Sequence, residues 1–180
     1  MIAERFEVAP LMAELDQHPE IWNAIPYRTK FEGSPHREVD DIWVRYRPLG
    51  EWDGGAHFND EHESKWYPVV GTIPTARLLA IELAARLDAE RLGGVLITRV
   101  PAGKQVYPHI DKGWHARFYE KFIIQIAAAP DQAFYFEDGQ LAARPGDCYW
   151  FDNSASHWVV NPTSEDRVSL IICLRRPECH

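Results

Sequence analysis

From Val95 onward the chain changes its hydrophobic rhythm, and that change restricts the fold more than any other feature. Short runs rich in β-branched and aromatic residues follow one another at 95–100, 121–127, 133–136, 148–151, 157–160 and 167–174. Turn formers such as Glu137-Asp138-Gly139 and Arg144-Pro145-Gly146-Asp147 separate them, so each run predicts a strand that pairs antiparallel with others. Ile42 to Arg47 alternates apolar with polar or basic residues and predicts one strand more. Ahead of the strands, Leu78, Leu79, Leu83 and Leu87 recur at helical spacing. They predict a helix from Pro74 to Leu92, with Gly93-Gly94 as its stop. Leu11 to Leu15 and Ile21 to Ile25 predict short helical pieces, followed by a loop rich in turn formers from Tyr27 to Asp40 and a polar loop from Gly50 to Lys65. Helices followed by short strands predict an α+β fold in which the strands close into a sandwich or jelly roll with a site at its mouth.

The length of 180 residues fits one domain that buries its own core. Within it, residues 1–70 are expected to be accessory, 71–94 a supporting helix and 95–176 the core. With 46% hydrophobic and 26% charged residues the composition is that of a globular chain. A net charge of −8 argues against a sequence-independent hold on phosphate backbones, so no nucleic-acid partner is expected. Met1 to Pro10 lacks the basic start and apolar run of a secretory signal, and no stretch reaches the roughly 18 apolar residues of a membrane span. A cytoplasmic location is the expectation. Cys148, Cys173 and Cys179 have no zinc-ligand spacing, and the first two read as buried small apolar residues in strands.

In Tyr107-Pro108-His109-Ile110-Asp111-Lys112 the histidine and aspartate stand two apart, so an extended chain turns both side chains to one face. An imidazole nitrogen and a carboxylate oxygen suit a divalent transition metal. A further histidine would complete a facial triad with three open positions. His157 is the best third ligand: it follows the turn-like run 152–156 and opens an apolar strand. His115, in the same loop as the pair, is the rival. Arg167 opens the last strand ten residues beyond His157. In a β-hairpin the two would share a face if Arg167 paired with Asn161 or another odd-numbered position. Its guanidinium could then grip one carboxylate of a 2-oxo dicarboxylic acid whose other end chelates the metal.

This set, His109-x-Asp111, His157 and Arg167 in the run Asp166-Arg167-Val168-Ser169-Leu170-Ile171-Ile172, resembles the iron(II)- and 2-oxoglutarate-dependent oxygenases. The stretch from His157-Trp158-Val159-Val160-Asn161 to Ile172 is similar, more narrowly, to the aspartyl/asparaginyl β-hydroxylases, whose family includes hydroxylases of free proline. The resemblance covers residues 95–175. It implies a double-stranded β-helix of cupin type, Fe(II), 2-oxoglutarate as cosubstrate, consumption of O₂, and release of succinate and CO₂. It also implies a basic residue on the strand after the first ligand to hold the cosubstrate's other carboxylate, a place that Lys121 or Arg117 fills. Some aspartyl hydroxylases lack a carboxylate ligand, so Asp111 brings this chain nearer the general three-ligand oxygenases.

The expected function is therefore a dioxygenase that hydroxylates an amino acid, a peptidyl residue or another small molecule. A non-catalytic cupin-like protein binding a small acid or metal is the alternative, and metal-assisted isomerisation or hydrolysis, which would not require Arg167, is a third reading. His57, His62, Arg45, Arg47, Trp52, Trp66 and Tyr67 are candidates for a substrate pocket, although each residue type is more often packing or surface. Trp114, Trp150 and Trp158 are candidates for an aromatic wall, and Asn161 for support near Arg167. The oligomeric state is not legible.

Overall fold

A computed structural model describes residues 5–30, 33–48 and 60–177. Strands dominate it, and the strands divide by face. In the last strand, Arg167–Arg175, the even positions Val168, Leu170, Ile172 and Leu174 enter one apolar core, whereas Arg167, Ser169 and Ile171 turn to the opposite side and line a cavity. That alternation recurs in Glu120–Ala127: Phe122, Ile124 and Ile126 join the core, and Lys121 and Ile123 line the cavity.

The elements in chain order are α1 (Ala9–Gln17), β1 (Asp40–Tyr46), β2 (Lys65–Trp66), α2 (Pro74–Arg86), β3 (Arg91–Val100), β4 (Gln105–His109), α3 (Trp114–Phe118), β5 (Glu120–Ala127), β6 (Ala133–Phe136), β7 (Gly139–Leu141), β8 (Cys148–Phe151), β9 (His157–Val160) and β10 (Arg167–Arg175). Two antiparallel sheets form, one in the order β2-β1-β3-β10-β5-β8 and one in the order β4-β9-β6-β7. The larger sheet packs α1 and α2 on its outer face through a core that includes Leu11, Leu79, Leu83, Ile97 and Leu170. Its inner face meets the smaller sheet over Val100, Val106, Phe134, Tyr149 and Val159. This is the α+β double-stranded β-helix, with helices supporting the larger sheet. Among the described residues no helix is long and apolar enough to cross a membrane.

Helix α2 has no side-chain cap of its own, and Glu14 of α1 supplies one. Its carboxylate accepts from the Thr75 N–H at 3.2 Å and from the Thr75 hydroxyl at 2.6 Å, placing negative charge at the positive end of the helix. Cys148 and Cys173 are buried free thiols.

Three expectations need correction. Helix α2 stops at Arg86, and Gly93-Gly94 lie within β3. Those glycines make room for side chains: a Cβ at Gly93 would sit 2.9 Å from the Tyr119 ring, and one at Gly94 3.2 Å from the rings of His115 and Tyr46. Leu78, expected on the buried stripe, is 63% exposed, and Ala76 and Ala80 take its place in the core. The piece from Ile21 to Ile25 is not helical beyond the short 3₁₀ turn Pro19–Ile21. Asn23 there adopts a φ of 59° and bonds to β1, its amide donating to Asp40 and its side-chain oxygen accepting from the Asp41 N–H.

Candidate active site

Residues His109 and His157 end one strand and open another in the smaller sheet, and they are direct cross-strand partners. The register shifts between Val106 and His109, where Pro108 interrupts the ladder. Pro108 lacks an N–H and is tolerated because β4 is an edge strand. The two imidazole centroids are 4.4 Å apart. Asp111, just beyond β4, is held by its own N–H, which donates to the Asn153 carbonyl at 3.1 Å, while the Asn153 side chain donates to the Ala116 carbonyl.

The hydrogen bonds fix which ring nitrogens are free. His109 Nδ1 lies 2.8 Å from the Tyr107 carbonyl and His157 Nδ1 lies 2.9 Å from the Ala155 carbonyl. A carbonyl only accepts, so both Nδ1 atoms carry the hydrogen and both Nε2 atoms keep a lone pair. Each Nε2 lies 3.8 Å from an oxygen of Asp111, too far for a hydrogen bond. One ligand atom from each of the three residues falls within 4.8 Å of the others. Two neutral imidazoles oriented by backbone carbonyls and one carboxylate are a donor set suited to a divalent transition metal.

Electrostatics favour that state. Burial pushes His109 down to about 4, helped by the neighbouring His157, and burial likewise lowers His157, which stacks on Phe134 and meets Phe151 edge-on. Burial alone would raise Asp111, but the Lys121 ammonium and the two histidines outweigh it and hold the carboxyl below its usual value.

Beneath the histidines, Arg167 is 2% exposed and lines the same cavity. Its Nη1 donates to the Ser169 hydroxyl at 2.7 Å and its Nη2 to the Tyr149 hydroxyl at 3.1 Å, both neutral partners. Its Nε–H has no partner among the described residues. A buried cation satisfied only in part by hydroxyls suits an anionic group supplied from outside the chain.

The route by which Arg167 arrives differs from the expected hairpin. Strands β9 and β10 are not paired. Arg167 pairs with Val100 of β3 in the larger sheet, and His157 belongs to the smaller one. The two line one cavity from opposite sheets, through the inward parity of β10.

Lys121 also reaches the site, but its ammonium lies 2.5 Å from Asp111 and so balances that carboxylate. Arg117 is exposed on α3 and borders an outer groove that Asp111 also touches, away from the cavity holding Arg167. His115 is not among the clustered ligands. Its Nε2 accepts from the Gly94 N–H at 3.1 Å, its ring packs on Tyr46 and Tyr119, and burial pushes it down to about 3.

Of the pocket candidates, Tyr67 is buried in an aromatic cluster with Tyr27, Trp43 and Tyr46, and its hydroxyl donates to the Arg47 carbonyl. Arg45 donates to the carbonyls of Leu92 and Gly93 and lies over Trp66, and His62 packs on Tyr46, His115 and Trp114. Trp114 also stacks on Phe118, Trp158 stacks on Tyr135, and Trp150 is half exposed. Asn161 donates to the carbonyls of Val100, Pro101 and Glu165 and staples the loop that leads into Arg167. Trp52, His57 and Cys179 lie outside the described residues.

The structure adds residues that sequence reasoning missed. Arg28 and His36, from the segment before β1, line the cavity beside His109, as does Thr98. Tyr149 and Ser169, the partners of Arg167, could have been found from strand parity. No periodic signal marks Arg28 or His36.

A sequence profile of the aspartyl/asparaginyl β-hydroxylases matches residues 68–177. No curated protein matches the chain. Among solved structures, a 2-oxoglutarate/Fe(II) oxygenase family oxidoreductase from Burkholderia pseudomallei superposes with a TM-score of 0.55 at 13% identity, covering 77% of this chain and 67% of its own. A cupin domain from Bordetella pertussis aligns with a TM-score of 0.37 at 16% identity over 48% of this chain and 84% of its own. A predicted oxalate decarboxylase from Thermotoga maritima gives 0.37 at 15% identity over 52% and 72%.

Proposed function

Because this chain belongs to the aspartyl/asparaginyl β-hydroxylase family, we propose that it is an iron(II)- and 2-oxoglutarate-dependent dioxygenase hydroxylating an amino acid, a peptidyl residue or another small molecule. The observation that carries the reading is Arg167. It is a buried guanidinium with neutral partners and an unpartnered Nε–H, in the cavity that His109 and His157 line. In this assignment His109 Nε2, His157 Nε2 and the Asp111 carboxylate hold iron, and Arg167 holds the distal carboxylate of 2-oxoglutarate. Bound iron supplies the activation of O₂ that C–H hydroxylation needs.

The chain's own residues have definite tasks. The Tyr107 and Ala155 carbonyls fix the tautomers that leave both Nε2 atoms able to bind metal. Lys121 holds one Asp111 oxygen and keeps the carboxylate ionised. Tyr149 and Ser169 aim the Arg167 guanidinium, so little ordering remains when a carboxylate binds. Phe134 and Phe151 wall His157 from water.

Anaerobic titration of the Fe(II)-loaded protein with 2-oxoglutarate tests the assignment, read by the weak visible charge-transfer band of the chelate. The band should form in wild type, vanish in His109→Ala and His157→Ala, and persist in His115→Ala. A wild type that binds iron and 2-oxoglutarate without the band, or binds no 2-oxoglutarate, refutes it. A non-catalytic cupin-like binder would form no succinate in air.

A further inference from the structure

We propose that His36 is a substrate-binding residue, presenting its Nδ1–H to a carbonyl or carboxylate oxygen of the molecule that is hydroxylated. The inference rests on the oxygenase reading for the word substrate, but its geometry is independent of it. His36 lines the cavity with its ring 4.6 Å from that of His109, edge to face. It is therefore beside the assigned metal position without being one of the clustered ligands.

The ring is held from several sides. The Pro35 carbonyl accepts from the Tyr107 N–H at 2.9 Å, which lays the segment along β4. The His36 N–H donates to the hydroxyl of fully buried Ser34, and that hydroxyl donates to the Arg28 carbonyl. Arg28 Nη1 lies 3.0 Å from His36 Nε2. A guanidinium cannot accept, so Nε2 carries the lone pair, the ring is neutral, and the hydrogen resides on Nδ1. Nothing among the described residues accepts from that Nδ1. It is a fixed donor, left over after the protein has satisfied the rest of the ring.

Arg28 itself is not the anion site. Its Nε and Nη2 grip the two oxygens of Asp41 at 2.7 and 3.0 Å, and Nη2 also donates to Thr98 at 2.6 Å. Asp41 is completely buried, so the pair cancels its charge within the wall. The group is thus a neutral scaffold that fixes the tautomer and position of His36. Arg167 has no such partner. The cavity therefore has one end suited to a carboxylate through net charge and one suited to an oxygen acceptor through a placed hydrogen bond.

The test uses the zinc(II)–2-oxoglutarate complex of the full chain, with acetamide and acetate as probes, read by ¹⁵N NMR of the histidine rings and by ligand-observed titration. His36 should show the Nδ1–H tautomer. At least one probe should shift its Nδ1 resonance saturably, acetamide reporting a carbonyl acceptor and acetate a carboxylate. His36→Phe keeps the ring contact with His109 but has no donor, and should weaken that probe about tenfold, the worth of one hydrogen bond. His36→Asn returns a donor near the Nδ1 position and should restore binding. An Nε2–H tautomer, no response to either probe, or equal binding by His36→Phe overturns the proposal. Failure of 2-oxoglutarate to bind in the same samples counts against the oxygenase reading instead, and the His36 titration is then read on metal-free protein.

Discussion

Two arginines line one cavity, and the chain treats them in opposite ways. Arg28 meets a buried carboxylate, a threonine hydroxyl and an imidazole nitrogen, so its charge is balanced before any ligand arrives. Arg167 meets two hydroxyls and keeps an N–H without a partner among the described residues. A buried charge is costly unless paired, so a guanidinium paired within the chain is part of the wall, whereas one left open is a place for an anion. The contrast separates architecture from binding within a few side chains.

The strongest way to break the contrast is to give Arg28 the status of Arg167. Asp41→Asn leaves Arg28 buried without its countercharge and should cost about 3–5 kcal/mol of stability, measured by urea unfolding followed by tryptophan fluorescence. A loss below about 1 kcal/mol would mean that the pair is not structural. Next in size, Arg167→Met should weaken 2-oxoglutarate about a hundredfold, ~2.7 kcal/mol, while Fe(II) affinity stays within about twofold, both by anaerobic calorimetry.

Acid should sharpen the difference further. Burial lowers His36, His109 and His157 below the usual histidine value, so the unfolded chain takes up protons that the folded chain refuses. For His109 that contribution is fully present above pH ~6.5 and is lost as pH falls toward about 4, at roughly 1.4 kcal/mol per pH unit in between, and His36 and His157 act in the same direction. His36→Phe should make the acid limb of the metal-free protein shallower. The hydroxyl partners of Arg167 do not titrate there. Smallest of all, Arg117→Ala should change 2-oxoglutarate affinity less than about twofold by the same calorimetry, because Arg117 is exposed outside the cavity.

The same two arginines mark what the sequence makes legible. His109 and Asp111 could be paired from spacing alone, and β10 parity turns Arg167 and Ser169 inward together. The hairpin between β9 and β10 was the wrong route, because the fold sends these strands to different sheets. Local spacing fixes a side chain's face, but sheet assignment depends on pairings made elsewhere. Gly93-Gly94 misled for a related reason: glycine ends helices, yet here it leaves room for Tyr119 and His115, a need visible only after packing. Arg28 and His36 come from a turn-rich segment without period. They reach the site through Asp41, Thr98 and Tyr107, partners that only the folded topology brings near. The amino-terminal segment, expected to be accessory, supplies part of the cavity wall.

The most direct measurement of the central claim compares 2-oxoglutarate with 2-oxopentanoate, which keeps the chelating end and lacks the distal carboxylate. Both are titrated anaerobically into Fe(II)-loaded wild type and Arg167→Met. Wild type should prefer 2-oxoglutarate by about a hundredfold, and the variant should bind the two alike. A wild type that binds both equally, or a variant that keeps the preference, would contradict the assignment of Arg167.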